Sequence, residues 1–287
     1  MSRVAYVNGR FLPMSRAGVS IEDRGFQFAD AVYEVWAVID GRLADADGHA
    51  ERLERSLGEL RIPMPMTRAA LDQVLRETLR RNRVRDGIVY LQVSRGAARR
   101  DHAFPRPGTL PTVVITARAV DRAAEEAKAA KGVKVITRPD IRWGRCDIKT
   151  VGLLPNALDK QAAREAGAYE AWLVDEEGLV TEGASSNAWI VDAEGRLRTR
   201  DTRANILRGI TRKTLIEIAE ALQTPVLEEP FTVEEAKAAR EAFITGAGAI
   251  VMPVTAIDGQ PVGEGVPGPV ATRLRSLYVE NARRNAR

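Results

Sequence analysis

A lysine and a glutamate, 33 positions apart, carry the chemistry that this sequence indicates most strongly. Lys149 stands in a mixed turn ahead of an apolar helix start, and Glu182 lies between two strand-like runs. A lysine amine can hold an aldehyde cofactor as a Schiff base, while a carboxylate faces the ring nitrogen of that cofactor. The chain has seven lysines against 36 arginines, and the other six lysines occupy charged, helical or alternating-strand settings. The pair therefore indicates an aldehyde cofactor.

Small residues follow Glu182 and extend the same predicted site. The run contains Gly183, Ala184, Ser185 and Ser186. Such residues let backbone N–H groups and hydroxyls approach a flat ligand or a phosphate closely. A carboxylate beside a pyridine nitrogen keeps that nitrogen protonated, so that the ring can accept electrons from a substrate.

Length and composition exclude several classes of protein. The chain has 287 residues, of which 45% are hydrophobic, so it can bury a sizeable core in one large or two ordinary domains. The net charge is only +4 and aromatic residues make up 5%, which argues against a nucleic-acid partner. Cys146 is the only cysteine, so no disulfide forms within the chain and a reducing compartment fits. No apolar run approaches the roughly 20 residues that span a bilayer. We therefore expect a soluble, cytoplasmic protein without a membrane partner, and we assign no metal site.

The pattern of elements predicts an α/β fold with mixed sheets in two domains. We expect a smaller N-terminal domain at 1–118, a linker at 119–131 and a larger cofactor-binding domain at 132–287. In the first domain, Asn8-Gly9 predicts a hairpin, Ala31–Ile39 a strand, and His49–Leu60 a helix. A further helix begins after Thr67 and runs to about Asn82.

The second segment alternates strands and helices. Strands are predicted at Val133–Thr137, Glu170–Val174, Ala188–Val191, Ala242–Thr245 and Ile250–Ile257. Helices are predicted at Leu154–Ala166, Gly209–Leu222, Thr232–Ala239 and Pro269–Asn285, with Gly167 and Thr232 as caps.

Several motifs together resemble those of the class IV aminotransferases, which are fold-type IV pyridoxal-phosphate enzymes. The motifs are Asp147-Ile148-Lys149, Asn156, Tyr169-Glu170-Ala171, the run from Thr181 to Asn187 and the run from Leu207 to Arg212. The resemblance covers nearly the whole chain, and the motifs are long and spaced. One departure is Trp189, where the family pattern usually has Phe or Tyr.

The resemblance implies a set of cofactor-binding residues. Lys149 is then the Schiff-base lysine, Glu182 the partner of the pyridine nitrogen, and Arg52 a phosphate ligand. The helix that starts at Gly209 offers N–H groups and a dipole that favour the phosphate. Gly246 and Ala247 offer only backbone N–H groups, where family members often carry hydroxyls. The implied cofactor residues are Lys149, Arg52, Glu182, Ser185, Ser186, Leu207, Gly209, Ile210, Thr211, Gly246 and Ala247.

The loop Arg99–Pro105 points to one branch of that family. Its Arg-x-His pair, Arg100 and His102, resembles the carboxylate trap of the D-amino-acid aminotransferases, which Tyr33 of Tyr33-Glu34-Val35 completes. A guanidinium offers a fork for a carboxylate, and an imidazole adds a donor. The implied substrate residues are Tyr33, Val35, Arg100 and His102. In that branch the loop reaches into the site of a neighbouring subunit, which implies a homodimer with shared active sites.

The reaction that this resemblance favours exchanges the amino group between D-alanine, or other D-amino acids, and 2-oxoglutarate, giving pyruvate and D-glutamate. Branched-chain L-amino-acid transamination and R-amine transamination are alternatives on the same fold. Aminodeoxychorismate lyase would use the same lysine to eliminate pyruvate. A protein that binds the cofactor without turnover is disfavoured, because both Lys149 and Glu182 are present.

Overall fold

The computed structural model describes residues 3–203 and 205–285. The chain forms two compact units. The first contains the described residues up to Asp121 together with Ile148–Gly152 and Asn285, and the second contains Arg122–Asp147 and the described part of Leu153–Arg284. The domain boundaries that we expected from the sequence stay a prediction. Within the described ranges, no helix is long and apolar enough to cross a membrane.

The first unit pairs a sheet with two long helices. The hairpin at Asn8-Gly9 forms as predicted, because both residues adopt the positive φ that a tight two-residue turn requires. The elements are β1 (Val4–Val7), β2 (Arg10–Pro13), a 3₁₀ turn (Met14–Arg16), α1 (Arg24–Phe28), β3 (Ala31–Ile39), β4 (Arg42–Leu43), α2 (Ala46–Glu59), α3 (Arg68–Asn82), β5 (Gly87–Ser94) and β6 (Thr112–Ala119).

The sheet of this unit has the order β2-β1-β6-β5-β3-β4. All its described pairings are antiparallel, so the prediction of a mixed sheet is wrong for this unit. Tight hairpins join β1 to β2 and β3 to β4, and an antiparallel pair needs no crossover helix. The pairs β1·β6 and β3·β5 bring together segments that are distant in the chain. Buried side chains of the sheet meet those of α2 and α3, including Trp36, Leu53 and Leu75.

The second unit holds a larger sheet. Its elements are α4 (Arg122–Lys131), β7 (Val133–Pro139), α5 (Leu154–Glu165), β8 (Glu170–Val174), β9 (Val180–Gly183), β10 (Asn187–Val191), β11 (Leu197–Thr199), α6 (Ile210–Ala221), β12 (Val226–Leu227), α7 (Val233–Lys237), β13 (Glu241–Gly246), β14 (Ile250–Ile257), β15 (Gln260–Pro261) and α8 (Pro269–Asn285). The segment predicted as a linker, 119–131, contains α4.

This second sheet is mixed, as predicted. Its order is β12-β11-β10-β13-β14-β7-β8-β9, with β15 beside β14. The pairs β14·β7 and β7·β8 are parallel, whereas β10·β13 and β13·β14 are antiparallel. Trp172, Phe231 and Ile244 lie in its buried core. The end of β13 pairs with the start of β10, and the predicted cofactor residues Ser185, Ser186, Gly246 and Ala247 lie there.

Helix ends follow the sequence signals closely. The Thr67 hydroxyl accepts a hydrogen bond from the Ala70 N–H, and Thr232 forms a capping box with Glu235. Gly167 follows α5 with φ +69°, as a C-terminal cap requires. One prediction needs correction: Glu182 lies inside strand β9 and not between strands.

Candidate active site

Lys149 belongs to the first unit, where the main chain fixes it beside β3. Its carbonyl accepts a hydrogen bond from the Tyr33 N–H at 3.0 Å. Its own N–H donates to the Ser56 hydroxyl of α2 at 3.4 Å. The Nζ atom lies 4.2 Å from the centre of the Tyr33 ring. Half-buried and held at both backbone groups, Lys149 presents its amine to the face of an aromatic ring.

Strand β3 divides its side chains between two faces. Tyr33 and Val35 are half-buried, whereas Glu34, between them, is fully buried on the opposite face. Tyr33 stacks on Tyr90 with ring centres 5.7 Å apart. Burial raises the pKa of Tyr90 to about 12, so its phenol stays protonated at neutral pH. The two predicted substrate residues of β3, Tyr33 and Val35, therefore share the face that Lys149 approaches.

Glu34 binds two side chains of α2. Arg52 donates from Nε and Nη2 at 2.7 and 2.9 Å, and the ring nitrogen Nδ1 of His49 lies 2.8 Å away. Burial raises the pKa of Glu34, but the charge and hydrogen bonds of Arg52 and the hydrogen bond of His49 outweigh it, so the net pKa lies well below the ordinary range. Burial lowers the pKa of His49. Arg52 thus has a carboxylate partner within its own unit, and its role as a phosphate ligand stays a prediction.

The loop that carries the predicted carboxylate trap packs against α1. The guanidinium carbon of Arg100 lies 5.0 Å from the centre of the Phe28 ring, and the His102 ring centre lies 5.4 Å from it. Both residues are exposed. The structure therefore groups Arg100 with His102 at Phe28, and groups Tyr33 with Lys149.

In the second unit, Glu182 is buried and accepts hydrogen bonds from Arg142, Leu207 and Asn187. Oε1 accepts from the Arg142 guanidinium and, at 3.2 Å, from the Leu207 N–H. Oε2 accepts from the amide of Asn187 at 3.0 Å. Arg142 also donates to both oxygens of Asp140, at 2.9 and 2.7 Å. Burial raises the pKa of Asp140, but hydrogen bonding and charge from Arg142 outweigh it and hold that pKa below the ordinary value.

Asn187 connects Glu182 to the start of α6. Its amide nitrogen also donates to the Leu207 carbonyl at 3.1 Å. Its oxygen fills the space beside Gly209, where an added Cβ would lie only 1.9 Å from it. Gly209 is the N-cap of α6 and gives no side-chain hydrogen bond to the helix. The first N–H groups of α6, which include those of Ile210 and Thr211, therefore have no side-chain cap from Gly209.

Ser185 and Ser186 turn their hydroxyls to Glu170. They donate to its Oε2 at 2.7 and 3.1 Å, and Glu170 is fully buried. A hydroxyl has one proton to donate, so in this structure the two serines offer a phosphate only their backbone N–H groups. Gly246 lies alongside, since its added Cβ would be 3.4 Å from the Ser185 carbonyl oxygen.

Trp189, where the family pattern usually has Phe or Tyr, lies in strand β10 next to this region. It is fully buried, stacks on Phe243 with ring centres 5.5 Å apart and donates to the Thr245 hydroxyl at 3.0 Å. Thr245 directly precedes Gly246. The indole therefore supports the strand that leads to Gly246 and Ala247.

Comparison with known proteins decides the family. The family model described as Amino-transferase class IV matches residues 31–257. The chain belongs to the class IV aminotransferases. The D-alanine aminotransferase of Staphylococcus haemolyticus is 40% identical over 280 residues, 96% of this chain and 98% of that protein. The D-alanine aminotransferase of Bacillus licheniformis is 41% identical over 269 residues, 94% of this chain and 93% of that protein.

Solved structures agree with the fold. The branched-chain amino acid aminotransferase of Escherichia coli has a TM-score of 0.89 at 25% identity, covering 98% of this chain and 95% of that one. The branched-chain amino acid aminotransferase of Thermobaculum terrenum, in its PLP-form, has a TM-score of 0.83 at 26% identity, covering 98% of this chain and 94% of that one. The fold-type IV architecture expected from the sequence is confirmed.

The donor set of this class IV aminotransferase fits pyridoxal phosphate. In the second unit, the Glu182 carboxylate suits a protonated ring nitrogen, and the uncapped N-terminus of α6 suits a phosphate. Asn187 donates a hydrogen bond to the Glu182 carboxylate and fills the space beside Gly209 at the N-terminus of α6. In the first unit, the Lys149 amine is the type of group that can form a Schiff base with an aldehyde.

Sequence reasoning assigned no role to Arg142, Asn187 or Glu170. Asn187 and Glu170 lie inside the family motifs, and their positions in those motifs could have indicated a role. Arg142 carries no such signal, because it is one of 36 arginines and its partners lie up to 40 positions away. Only the folded chain distinguishes it.

Proposed function

We propose that this aminotransferase is a pyridoxal-phosphate-dependent D-amino-acid transaminase of the cytoplasm. It moves the amino group between D-alanine, or other D-amino acids, and 2-oxoglutarate, giving pyruvate and D-glutamate. The observation that carries the choice of substrate is the 40–41% identity, over nearly the full length, to proteins named D-alanine aminotransferase. The Arg-x-His loop at Arg100 and His102 supports the same choice.

Residues of the second unit would hold the cofactor. When bound, pyridoxal phosphate supplies an aldehyde carbon for amines and a ring that accepts electrons. Glu182, fixed by Arg142, Asn187 and the Leu207 N–H, would hold a proton at the ring nitrogen. The first N–H groups of α6 and the backbone around Ser185, Ser186, Gly246 and Ala247 would bind the phosphate. Arg52 would contribute a positive charge to the binding of the phosphate.

Lys149 would bind the cofactor and move a proton. Its amine would bind the aldehyde and, when free, would carry a proton to or from the substrate carbon. The Tyr33 ring, 4.2 Å from Nζ, would keep water from that face and orient the amine. Because the amine approaches from a fixed backbone, protonation would take place on one face only, which is what a stereospecific transaminase requires.

The substrate carboxylate would bind to Arg100 and His102, with Tyr33 and Val35 lining the same pocket. We propose that the loop does so across a homodimer. Large apolar side chains close to this loop in sequence or in space support a second copy: Ile21 is 80% exposed, Phe26 73% and Leu110 82%. Large exposed apolar surfaces mark sites of protein–protein contact.

Pyruvate formation tests the function directly. With D-alanine and 2-oxoglutarate, a coupled lactate dehydrogenase assay should give steady turnover. Arg100→Ala should lower kcat/KM for D-alanine by about 10–100-fold, because a charge-assisted carboxylate contact contributes about 1.5–3 kcal/mol. Turnover that is unchanged in Arg100→Ala would remove the loop from the substrate site.

Branched-chain L-amino-acid transamination is the second candidate. The likeness to the Escherichia coli branched-chain enzyme, with a TM-score of 0.89, favours it. L-leucine in place of D-alanine, with formation of L-glutamate as the readout, separates the two functions.

A further inference from the structure

Arg24 binds the loop that carries the predicted carboxylate trap. It is the first residue of α1 and is only 3% exposed. Its Nη1 donates to the carbonyls of Asp101 and Ala103 at 2.6 and 3.2 Å. Its Nη2 donates to the carbonyl between them, that of His102, at 3.4 Å. One buried guanidinium thus binds three consecutive carbonyls, which fixes the backbone of His102 on both sides.

A carboxylate anchors this guanidinium from behind. Asp30 accepts from Arg24 Nε at 2.7 Å and from Arg95 Nε and Nη2 at 2.7 and 2.9 Å. Burial raises the pKa of Asp30, but hydrogen bonds and charge from both arginines outweigh it and hold that pKa below the ordinary value. The guanidinium carbon of Arg95 lies 3.6 Å from the centre of the Phe104 ring. Two arginines that share Asp30 therefore hold both ends of the segment 101–104.

Phe28, one turn after Arg24 on α1, positions the side chains of the loop. Its ring centre lies 4.8 Å from the Arg24 guanidinium carbon and 5.0 Å from that of Arg100. The His102 ring packs against it as well, with ring centres 5.4 Å apart. The backbone of the loop and its two predicted substrate contacts are therefore fixed by the same short helix.

We propose that Arg24 is a positioning residue that holds Arg100 and His102 in the geometry that binds a substrate carboxylate. This inference rests on the proposed function. Arg24 acts through the loop, because its guanidinium is turned to the loop backbone and to Asp30. Its loss should weaken binding of carboxylate-bearing substrates, since small displacements of positioning groups cost activity steeply.

A double-mutant cycle in the holoenzyme tests this role. Arg24→Leu alone should raise KM for D-alanine by about 10–100-fold, while kcat changes less. In the Arg100→Ala/His102→Ala background the same substitution should change KM by about twofold or less, since its effect passes through two side chains already removed. Arg24→Lys, which keeps a donor, should recover part of the affinity. Equal effects of Arg24→Leu in both backgrounds would show a merely structural role and overturn the inference.

Arg275 provides the matched control. It is 6% exposed, pairs with Glu126 and donates to the carbonyls of Ala249 and Val251 in the second unit. Arg275→Leu should lower the thermal midpoint, as Arg24→Leu does, and leave KM for D-alanine within about twofold, because the two sites do not share partners. A rise in KM equal to that of Arg24→Leu would contradict a specific role for Arg24.

Hydrogen–deuterium exchange separates this inference from the proposed function. If the wild type does not transaminate D-alanine, the proposed function fails, and exchange in the peptide 99–106 decides the role of Arg24. The exchange should be about tenfold faster in Arg24→Leu than in wild type, because the loop loses the contacts that order it. Unchanged exchange would overturn the inference.

Discussion

Arg142 donates directly to the carboxylate of Glu182, and the same guanidinium holds Asp140 through two further hydrogen bonds. The side chains of Arg142 and Glu182 are 7% and 6% exposed. One cation thus lies between two carboxylates, with Thr181 donating to Asp140 at 2.8 Å. Hydrogen bonds from Arg142, Asn187 and the Leu207 N–H therefore fix the position of the Glu182 carboxylate.

Arg142→Leu should damage both stability and cofactor binding. Removing one partner of a buried ion pair lowers the free energy of unfolding by about 3–5 kcal/mol. We expect affinity for pyridoxal phosphate to fall by about tenfold or more, because Glu182 loses a charged donor. Titration of the apoprotein, followed by visible absorbance, measures this.

Arg145 offers the control for that experiment. It pairs with Asp147 at 2.9 Å but is 48% exposed, and exposed pairs contribute about 0–1 kcal/mol. Arg145→Leu should leave the titration unchanged. Equal cofactor affinity in wild type and Arg142→Leu would show that Arg142 does not serve the site.

Gly209→Ala should weaken cofactor binding through Asn187. The added Cβ would lie 1.9 Å from the amide oxygen of Asn187, which also holds Glu182. Forcing these groups apart costs about 1–3 kcal/mol. Gly58, in α2, has no atom within 4 Å of its added Cβ, so Gly58→Ala should stabilise the helix by about 0.5–1 kcal/mol. Calorimetric titration with the cofactor checks the first expectation and thermal unfolding the second, and a Gly209→Ala protein with wild-type affinity would rule out the clash.

Acid should destabilise the first unit in two steps. The folded-state pKa of His49 lies below its ordinary value of 6.5, and that of Glu34 lies below 4.5. The unfolded chain then binds more protons in both ranges, so stability falls as pH falls. The loss begins near pH 6.5 with His49 and continues below pH 4.5 with Glu34, at up to about 1.4 kcal/mol per pH unit for each proton.

Histidine variants test the first step. His49→Gln should flatten the fall of the thermal midpoint between about pH 6.5 and 5. His102→Gln, a change at the exposed histidine of the loop, should not. A midpoint that is level over this range in wild type would contradict the buried, neutral state of His49.

Sequence patterns predicted much of the fold because local signals and tertiary packing agree there. The strand Ala31–Ile39 and the helix Pro269–Asn285 have the predicted bounds. In long segments the spacing of hydrophobic residues indicates both the type of element and its buried face. Helix α1 was missed, because five residues give no period to detect. The antiparallel order of the first sheet was missed too, since pairing depends on contacts between distant segments.

The candidate site shows the same limit. Motif residues such as Glu182 and Gly209 stand out because their neighbours are unusual. Arg142 and Arg24 do not, because their roles come from partners 40 and 77 positions away. Arginine is the commonest charged residue of this chain, and only its partners distinguish a positioning arginine from a solvated one.

One spectrum tests the central claim most directly. The visible absorption band of the purified holoenzyme is recorded before and after D-alanine, and separately before and after L-leucine. The proposed function predicts that D-alanine bleaches the band and L-leucine does not, and that Lys149→Ala loses turnover. Bleaching by L-leucine with no response to D-alanine would contradict it and assign the chain to branched-chain transamination.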